Sequence, residues 1–325
     1  MNLKKCIWKA AAGASAALWI LASVSGCGDA KQVENEMSLR KTGLGYLDAG
    51  DYDKAVLAFN EALGQRAGIV SNLEEDINFY KAYAQMEAGQ MKEAVSTYTA
   101  LADYDKKNAD AYYLRGCAYI SQGKTKEALK DFEMAEQNKK DSGEMCAGIY
   151  EQLMTAGLEK EAAPYLKKGL SIKGDKGPEC LMRGKLYLLS GDYDKAETEL
   201  GEALEQKEPL ADLYLGRLFQ ARGDSEQSQN YYESYLQDHP NDAAVLYELG
   251  SLAFSRGEYD KAVTWFDQGL GCENIMNKRA LWSGKIAALE YGGNFSAALQ
   301  EMELYLENYP HDEEAQKEYI FLKTR

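Results

Sequence analysis

Apolar and polar positions along the chain recur on a period close to 34 residues. A glycine marks each cycle, at Gly50, Gly89, Gly123, Gly157, Gly191, Gly223, Gly257 and Gly293. Seven residues earlier stands a small residue in six cycles, Gly43, Ala82, Gly116, Gly184, Gly216 and Gly250, with Tyr150 and Ile286 in the other two. Five residues after the glycine come Ala55, Ala94, Ala128, Ala162, Ala196, Ser228, Ala262 and Ala298. Nine after it come Phe59, Tyr98, Phe132, Leu166, Leu200, Tyr232, Phe266 and Met302. Small, small, large predicts two helices crossing closely: the small residues let the backbones approach and the large side chain fills the space beside them. The glycine suits a left-handed cap at the end of the first helix. The acids that follow suit the start of the second. The hexapeptide "GDYDKA" at 50–55 and 191–196, and "GEYDKA" at 257–262, is then the turn of a helical hairpin.

No single hairpin of this kind buries its apolar face alone; stacking neighbours makes a continuous core. The columns "G…Y…GDYDKA…F…A" resemble the tetratricopeptide repeat. The resemblance covers 36–69, 75–108, 109–142, 143–176, 177–208, 209–242, 243–276 and 279–312. It implies an all-α chain: a right-handed superhelix, or α-solenoid, of about eight hairpins. The tail 313–325, "EEAQKEYIFLKTR", is expected as a helix capping the last hairpin. The extra "SNLEE" before the second repeat is expected to lengthen a helix or a turn. Five prolines in 325 residues agree with long uninterrupted helices.

The first 26 residues follow another rule. Lys4, Lys5 and Lys9 precede the apolar run "AAAGASAALWILASV", and no acid appears before Asp29. That is the layout of a secretory signal, and the run is short for a membrane span, which needs about 20 residues. Val24-Ser25-Gly26-Cys27 resembles the lipobox of bacterial lipoproteins. This implies cleavage before Cys27 and a diacylglycerol thioether on its sulfur, with 27–35 as a lipidated, flexible tether. More than one acyl chain gives durable anchoring. The resemblance places the protein on the extracytoplasmic face of a cell membrane or outer membrane.

With the repeat identified as similar to this family, its first helices are expected to line a peptide-binding groove. Carried across by position, the candidates are Phe79, Tyr83, Met86, Tyr113 and Met154, an aromatic and thioether strip beside Asp48, Asp76, Glu87, Asp110, Glu144 and Glu151. Such a strip fits a segment with apolar anchors and basic neighbours. Lys185 and Arg217, one repeat apart, are candidate carboxylate contacts, and Tyr247 and Phe254 continue the face. The same stripe at helical spacing also describes packing between adjacent first helices. The Lys, Asn and Arg with which some members grip a C-terminal carboxylate do not appear at the matching positions.

Charge and composition narrow the partners. The chain has 37 basic and 52 acidic residues, a net charge of −15, which becomes −18 once the three signal lysines are removed. That excess disfavours nucleic acid, whose phosphates need neutralising cations, and leaves the lipid as the only membrane contact. Cys117, Cys146, Cys180 and Cys272 lie inside helical patterns and read as small buried residues. There is no CxxC, and the only histidines, His239 and His311, lie in turns, so no metal site or cofactor is expected. No GxSxG, HExxH or phosphate loop occurs in the context it needs, so an enzyme is not expected. The expected function is a membrane-anchored scaffold that binds peptide segments of envelope proteins. The alternatives are a spacer or self-assembling scaffold with no peptide ligand, and, last, a cell-wall-modifying enzyme.

Overall fold

The computed structural model describes residues 27–65, 70–139, 142–272, 277–310 and 312–325; the signal segment 1–26 and the side chain of Cys27 lie outside them. Among the described residues the chain is all-α, with seventeen helices and no strand. It divides into two compact units, Met1–Gly174 and Asp175–Arg325. In the first unit α1 (Cys27–Asp48) pairs with α2 (Tyr52–Gly64), and α3 (Asn72–Glu87) with α4 (Met91–Tyr104). There α5 (Ala109–Ser121) pairs with α6 (Thr125–Asn138), and α7 (Gly143–Thr155) with α8 (Glu159–Leu170). In the second unit the pairs are α9 (Gly177–Ser190) with α10 (Tyr193–Glu205), and α11 (Ala211–Arg222) with α12 (Ser225–Asp238). They continue as α13 (Ala243–Ser255) with α14 (Tyr259–Leu270), and α15 (Lys278–Tyr291) with α16 (Phe295–Asn308). The chain closes with α17 (Glu313–Leu322), packed on α16.

The periodic columns have the geometry expected of them. All eight marker glycines have φ between 69° and 80°. At Gly191 and Gly223 the left-handed residue is itself the helix cap, a conformation that costs a side chain dearly. The residues of the alanine column are fully buried, Ser228 included, and its hydroxyl donates to the Gly216 carbonyl at 2.9 Å. A β-carbon on Gly43, Gly116, Gly184, Gly216 or Gly250 would fall 2.5–2.7 Å from Phe59, Phe132, Leu200, Tyr232 or Phe266, respectively. Each of those large side chains is buried, and a fully buried aromatic or leucine contributes about 1.5–3 kcal/mol. Where Tyr150 occupies the small position, its partner Leu166 is only half-buried, and α8 buries just Ala162 and Gly169. In the last hairpin flexible Met302 accommodates Ile286, and both are buried.

The hexapeptide turn carries a second regularity. Its first acid pairs with its lysine in all three copies: Asp51–Lys54 at 2.6 Å, Asp192–Lys195 at 2.6 Å and Glu258–Lys261 at 2.8 Å. Only Asp51 also caps its helix, accepting from the Lys54 amide; Asp192 and Glu258 make no side-chain cap hydrogen bond. The N-cap hydrogen bond expected of these acids is therefore made in one copy of the three, alongside the ion pair rather than in place of it.

Two segments depart from or refine the expectation. Residues 27–35, expected as a flexible tether, form the first turns of α1 itself. From Asp29 to Thr42 the sequence contains no glycine or proline and is rich in strong helix formers. The inserted "SNLEE" lengthens α3: Ser71 and Glu74 form a capping box at its start.

Neighbouring hairpins within a unit are also stitched by side-chain amides. Gln90 donates to Asp53 at 2.9 Å, Asn108 to Glu75 at 2.6 Å and Asn138 to the Lys106 carbonyl at 3.1 Å. In the second unit Asn277 donates to the Ala243 carbonyl at 3.2 Å, while Gln206 at the end of α10 closes its own hairpin by donating to the Asp175 carbonyl before α9 at 2.7 Å.

Candidate functional site

The strip expected on the first helices is mostly covered. Phe79, Tyr83, Met86 and Tyr113 are 4–5% exposed, whereas Met154 at the end of α7 is 38% exposed. The Phe79 ring lies 6.4 Å from Tyr98, and Tyr113 lies 5.9 Å from Phe132. The Tyr113 hydroxyl also reaches the next hairpin, where a β-carbon on Gly148 would meet it at 3.1 Å. Tyr247 repeats this arrangement in the second unit, 5.8 Å from Phe266, whose ring abuts Gly284 of the following hairpin. Phe79, Tyr113 and Tyr247 thus each pack on the large residue of their own second helix. Of the acids placed beside the strip, Asp76 is buried against Arg40 at 2.5 Å and Asp110 pairs with Lys139 at 3.2 Å, while Glu87 is exposed.

The two candidate cations converge on one ring. Lys185 is 4% exposed with Nζ 5.8 Å from the centre of Tyr214, and the Arg217 guanidinium lies 5.2 Å from the same centre. Both therefore have a stacking role inside the second unit.

Phe254, partly buried, joins an aromatic group that reaches the surface. It meets Tyr259 edge-on at 5.5 Å and Tyr291 edge-on at 5.3 Å, and those two rings lie 5.9 Å apart. Tyr291 is 68% exposed. The trio joins the end of α13, the start of α14 and the end of α15. Tyr259 is the tyrosine of "GEYDKA", and Phe254 and Tyr291 each stand within three residues of a marker glycine. That shared corner position was the available signal for the group.

A further set of polar contacts recurs across the hairpins. Arg115 on α5 grips Asp131 on α6 with two bonds of 2.7 and 2.8 Å, and a third runs to Thr99 at 3.0 Å. Arg183 grips Glu199 at 2.8 and 2.7 Å. Lys285 meets Glu301 at 2.8 Å and Asp267 at 2.6 Å, and Glu301 also accepts from the Trp282 indole at 2.9 Å. In all three hairpins the cation stands eight residues before the marker glycine and the acid eight after it. The acids raise the Arg115 and Arg183 guanidinium values through direct hydrogen bonds.

One cluster has donor atoms close enough for a metal ion: Cys180, Glu199 and Glu202, within 4.8 Å of one another. The Arg183 guanidinium already occupies Glu199 and approaches Cys180 Sγ at 3.4 Å. Burial pushes the Cys180 thiol up, against the thiolate a metal requires. The donor set is therefore that of an ion-pair network, since a cation at its centre would face a guanidinium. Cys117, Cys146, Cys180 and Cys272 are free thiols. No described helix is long and apolar enough to cross a membrane.

A tetratricopeptide repeat family model matches residues 40–98, 79–143 and 213–273, and a second matches 180–209, together more than half of the chain. BBSome complex member BBS4 of Bos taurus is 23% identical over 190 residues, which are 58% of this chain and 36% of that protein. A TPR repeat-containing protein of Methanocaldococcus jannaschii is 29% identical over 162 residues, 50% of this chain and 28% of that one. The chain thus spans about a third of the length of these curated relatives. Among solved structures, a tetratricopeptide repeat protein from Parabacteroides merdae is 16% identical with a TM-score of 0.48, covering 79% of this chain and 99% of that one. Repeating hairpins, left-handed glycine corners and these sequence matches together make the chain a member of the tetratricopeptide repeat family.

Proposed function

We propose that this protein is a lipid-anchored scaffold of the bacterial cell envelope that holds a segment of a partner protein against the corners of its hairpins. Tetratricopeptide repeat proteins are in general protein–protein interaction scaffolds, and the fold is typically non-enzymatic. The observation that carries the reading is the exposed ring of Tyr291 supported by Phe254 and Tyr259. An aromatic side chain held rigid at the surface is the usual anchor of an interface, because its area is gained at little cost in side-chain entropy. The chain's net charge of −15 favours a partner segment with basic residues beside its apolar anchors. Anchoring rests on Cys27 directly after the apolar run of the signal segment.

Crosslinked affinity capture from native envelope tests the reading. The Tyr291→Ala chain is expected to lose a defined partner that the unaltered chain retains, with helix content unchanged. Identical captured sets would overturn the site. Mass spectrometry of the mature N-terminus tests the anchor: a diacylated Cys27 is expected, and an unmodified thiol there would overturn that part.

A further inference from the structure

The terminal helix α17 lies over the last hairpin and leaves a cleft of about 400 Å³ between α15, α16 and α17. One end is tightly fastened. Asp312, just before α17, accepts from the Arg279 guanidinium at 2.5 Å, from the Tyr305 hydroxyl at 2.6 Å and from the Ala315 amide at 3.2 Å. Farther along α17, Tyr319 donates to Glu303 at 3.2 Å, and Leu322 is buried. Between these anchors two carboxyl groups from facing helices, Glu290 of α15 and Glu318 of α17, line the same cleft. Oε1 of Glu290 is buried from water, and no N–H or hydroxyl group donates to it. Both residues are partly buried, and two carboxylates brought together there do not both ionise without cost; one proton between them turns repulsion into a strong hydrogen bond.

We infer that Glu290 and Glu318 form a one-proton latch that fastens α17 to the last hairpin while the proton is held and loosens it when the proton leaves. Burial first, then the charge of Glu318 and a hydrogen bond with it, raise the Glu290 carboxyl from 4.5 to about 7. A carboxyl raised in the closed form favours closure fully below pH 4.5 and loses that advantage as pH rises through about 7. The other titratable groups lining the cleft are Arg279, Tyr305, Asp312 and Glu314. Arg279 and Tyr305 are shifted up from 12.5 and 10.0, and Asp312 down from 3.8, all away from that window. Glu314 is exposed to solvent. Opening would uncover Ile286 and Met302, which α17 now helps to cover.

Hydrogen-exchange protection factors of the full-length chain, corrected for intrinsic exchange at each pH, read the latch directly. Amides of α17 are expected to lose roughly tenfold or more of their protection between about pH 5 and pH 8, while those of α11 hold theirs. In Glu290→Gln the amide keeps the shape and donates permanently, so α17 protection is expected to stay level across that range. Glu318→Gln reads the same from the other side and serves if the first variant folds poorly. Protection of α17 that is equal at the two pH values in the unaltered chain, or that falls in both variants as it does there, overturns the inference.

Discussion

Arg115 and Asp131 face each other across α5 and α6 through two parallel N–H···O bonds of 2.7 and 2.8 Å, with Asp131 only 5% exposed. Two-point geometry fixes how one helix of the hairpin sits along the other, and a third bond to Thr99 ties the pair to the preceding hairpin. Removing the guanidinium alone leaves a buried carboxylate without its charge partner. Arg115→Met is therefore expected to cost about 3–5 kcal/mol, while the double change Arg115→Met with Asp131→Leu recovers most of it. Urea denaturation of the three chains decides: equal losses in the single and double variants would show that the pair is not coupled.

The closest helix crossings make a sharper contrast between two glycines. A β-carbon on Gly216 would stand 2.5 Å from the Tyr232 ring, whereas one on Gly201 meets nothing within 4 Å. Tyr232 has little freedom to retreat, since it is fully buried and its hydroxyl donates to Gln220 at 2.7 Å. Gly216→Ala is expected to destabilise by about 1–3 kcal/mol through overpacking. Gly201→Ala, mid-helix in α10, is expected to stabilise by roughly 0.5–1 kcal/mol through helix propensity. Opposite shifts of the thermal midpoint are the expected result.

Gly223 caps α11 at φ 80° with open space around its α-carbon. Its constraint is therefore conformational, not steric crowding. Gly223→Ala is expected to cost about 1–2 kcal/mol. Gly223→Asn is expected to cost less, because asparagine tolerates the left-handed region. Chemical denaturation of both variants ranks them, and an alanine chain as stable as the asparagine chain would contradict the conformational account.

The hairpin architecture was legible in the sequence because its constraints are local. A left-handed corner needs glycine, and a close crossing needs a small residue opposite a large one, so both leave marks at fixed spacing. The ion pairs eight residues either side of the corner were also present, as Arg115 with Asp131, Arg183 with Glu199 and Lys285 with Glu301. They leave a weak mark because only three of the eight cycles carry them, and a sparse column hides beside a dense one. The face was harder to read. Periodicity places Tyr83 and Met154 on the same side of their helices, but whether a neighbouring helix covers each one depends on the next hairpin. The segment 27–35 departs from its expected form for a related reason: its polar composition resembles a tether, yet an unbroken run of helix formers is free to begin α1 there.

Tyr83 and Met154 separate packing from recognition. Both are family-position candidates for the peptide face, but Tyr83 is 4% exposed and Met154 is 38% exposed. Burial pushes the Tyr83 phenol far above its ordinary value, as expected of a ring enclosed among other side chains. Tyr83→Ala should open a cavity in the first unit and cost about 3–5 kcal/mol, whether or not a ligand is present. Met154→Ala should change stability by no more than about 0.5 kcal/mol. Any binding defect from Met154→Ala would then report contact, whereas a defect from Tyr83→Ala would report unfolding. Denaturation midpoints measured beside partner capture distinguish the two. A Tyr83→Ala chain that keeps its stability but loses its partner would return that ring to the binding surface.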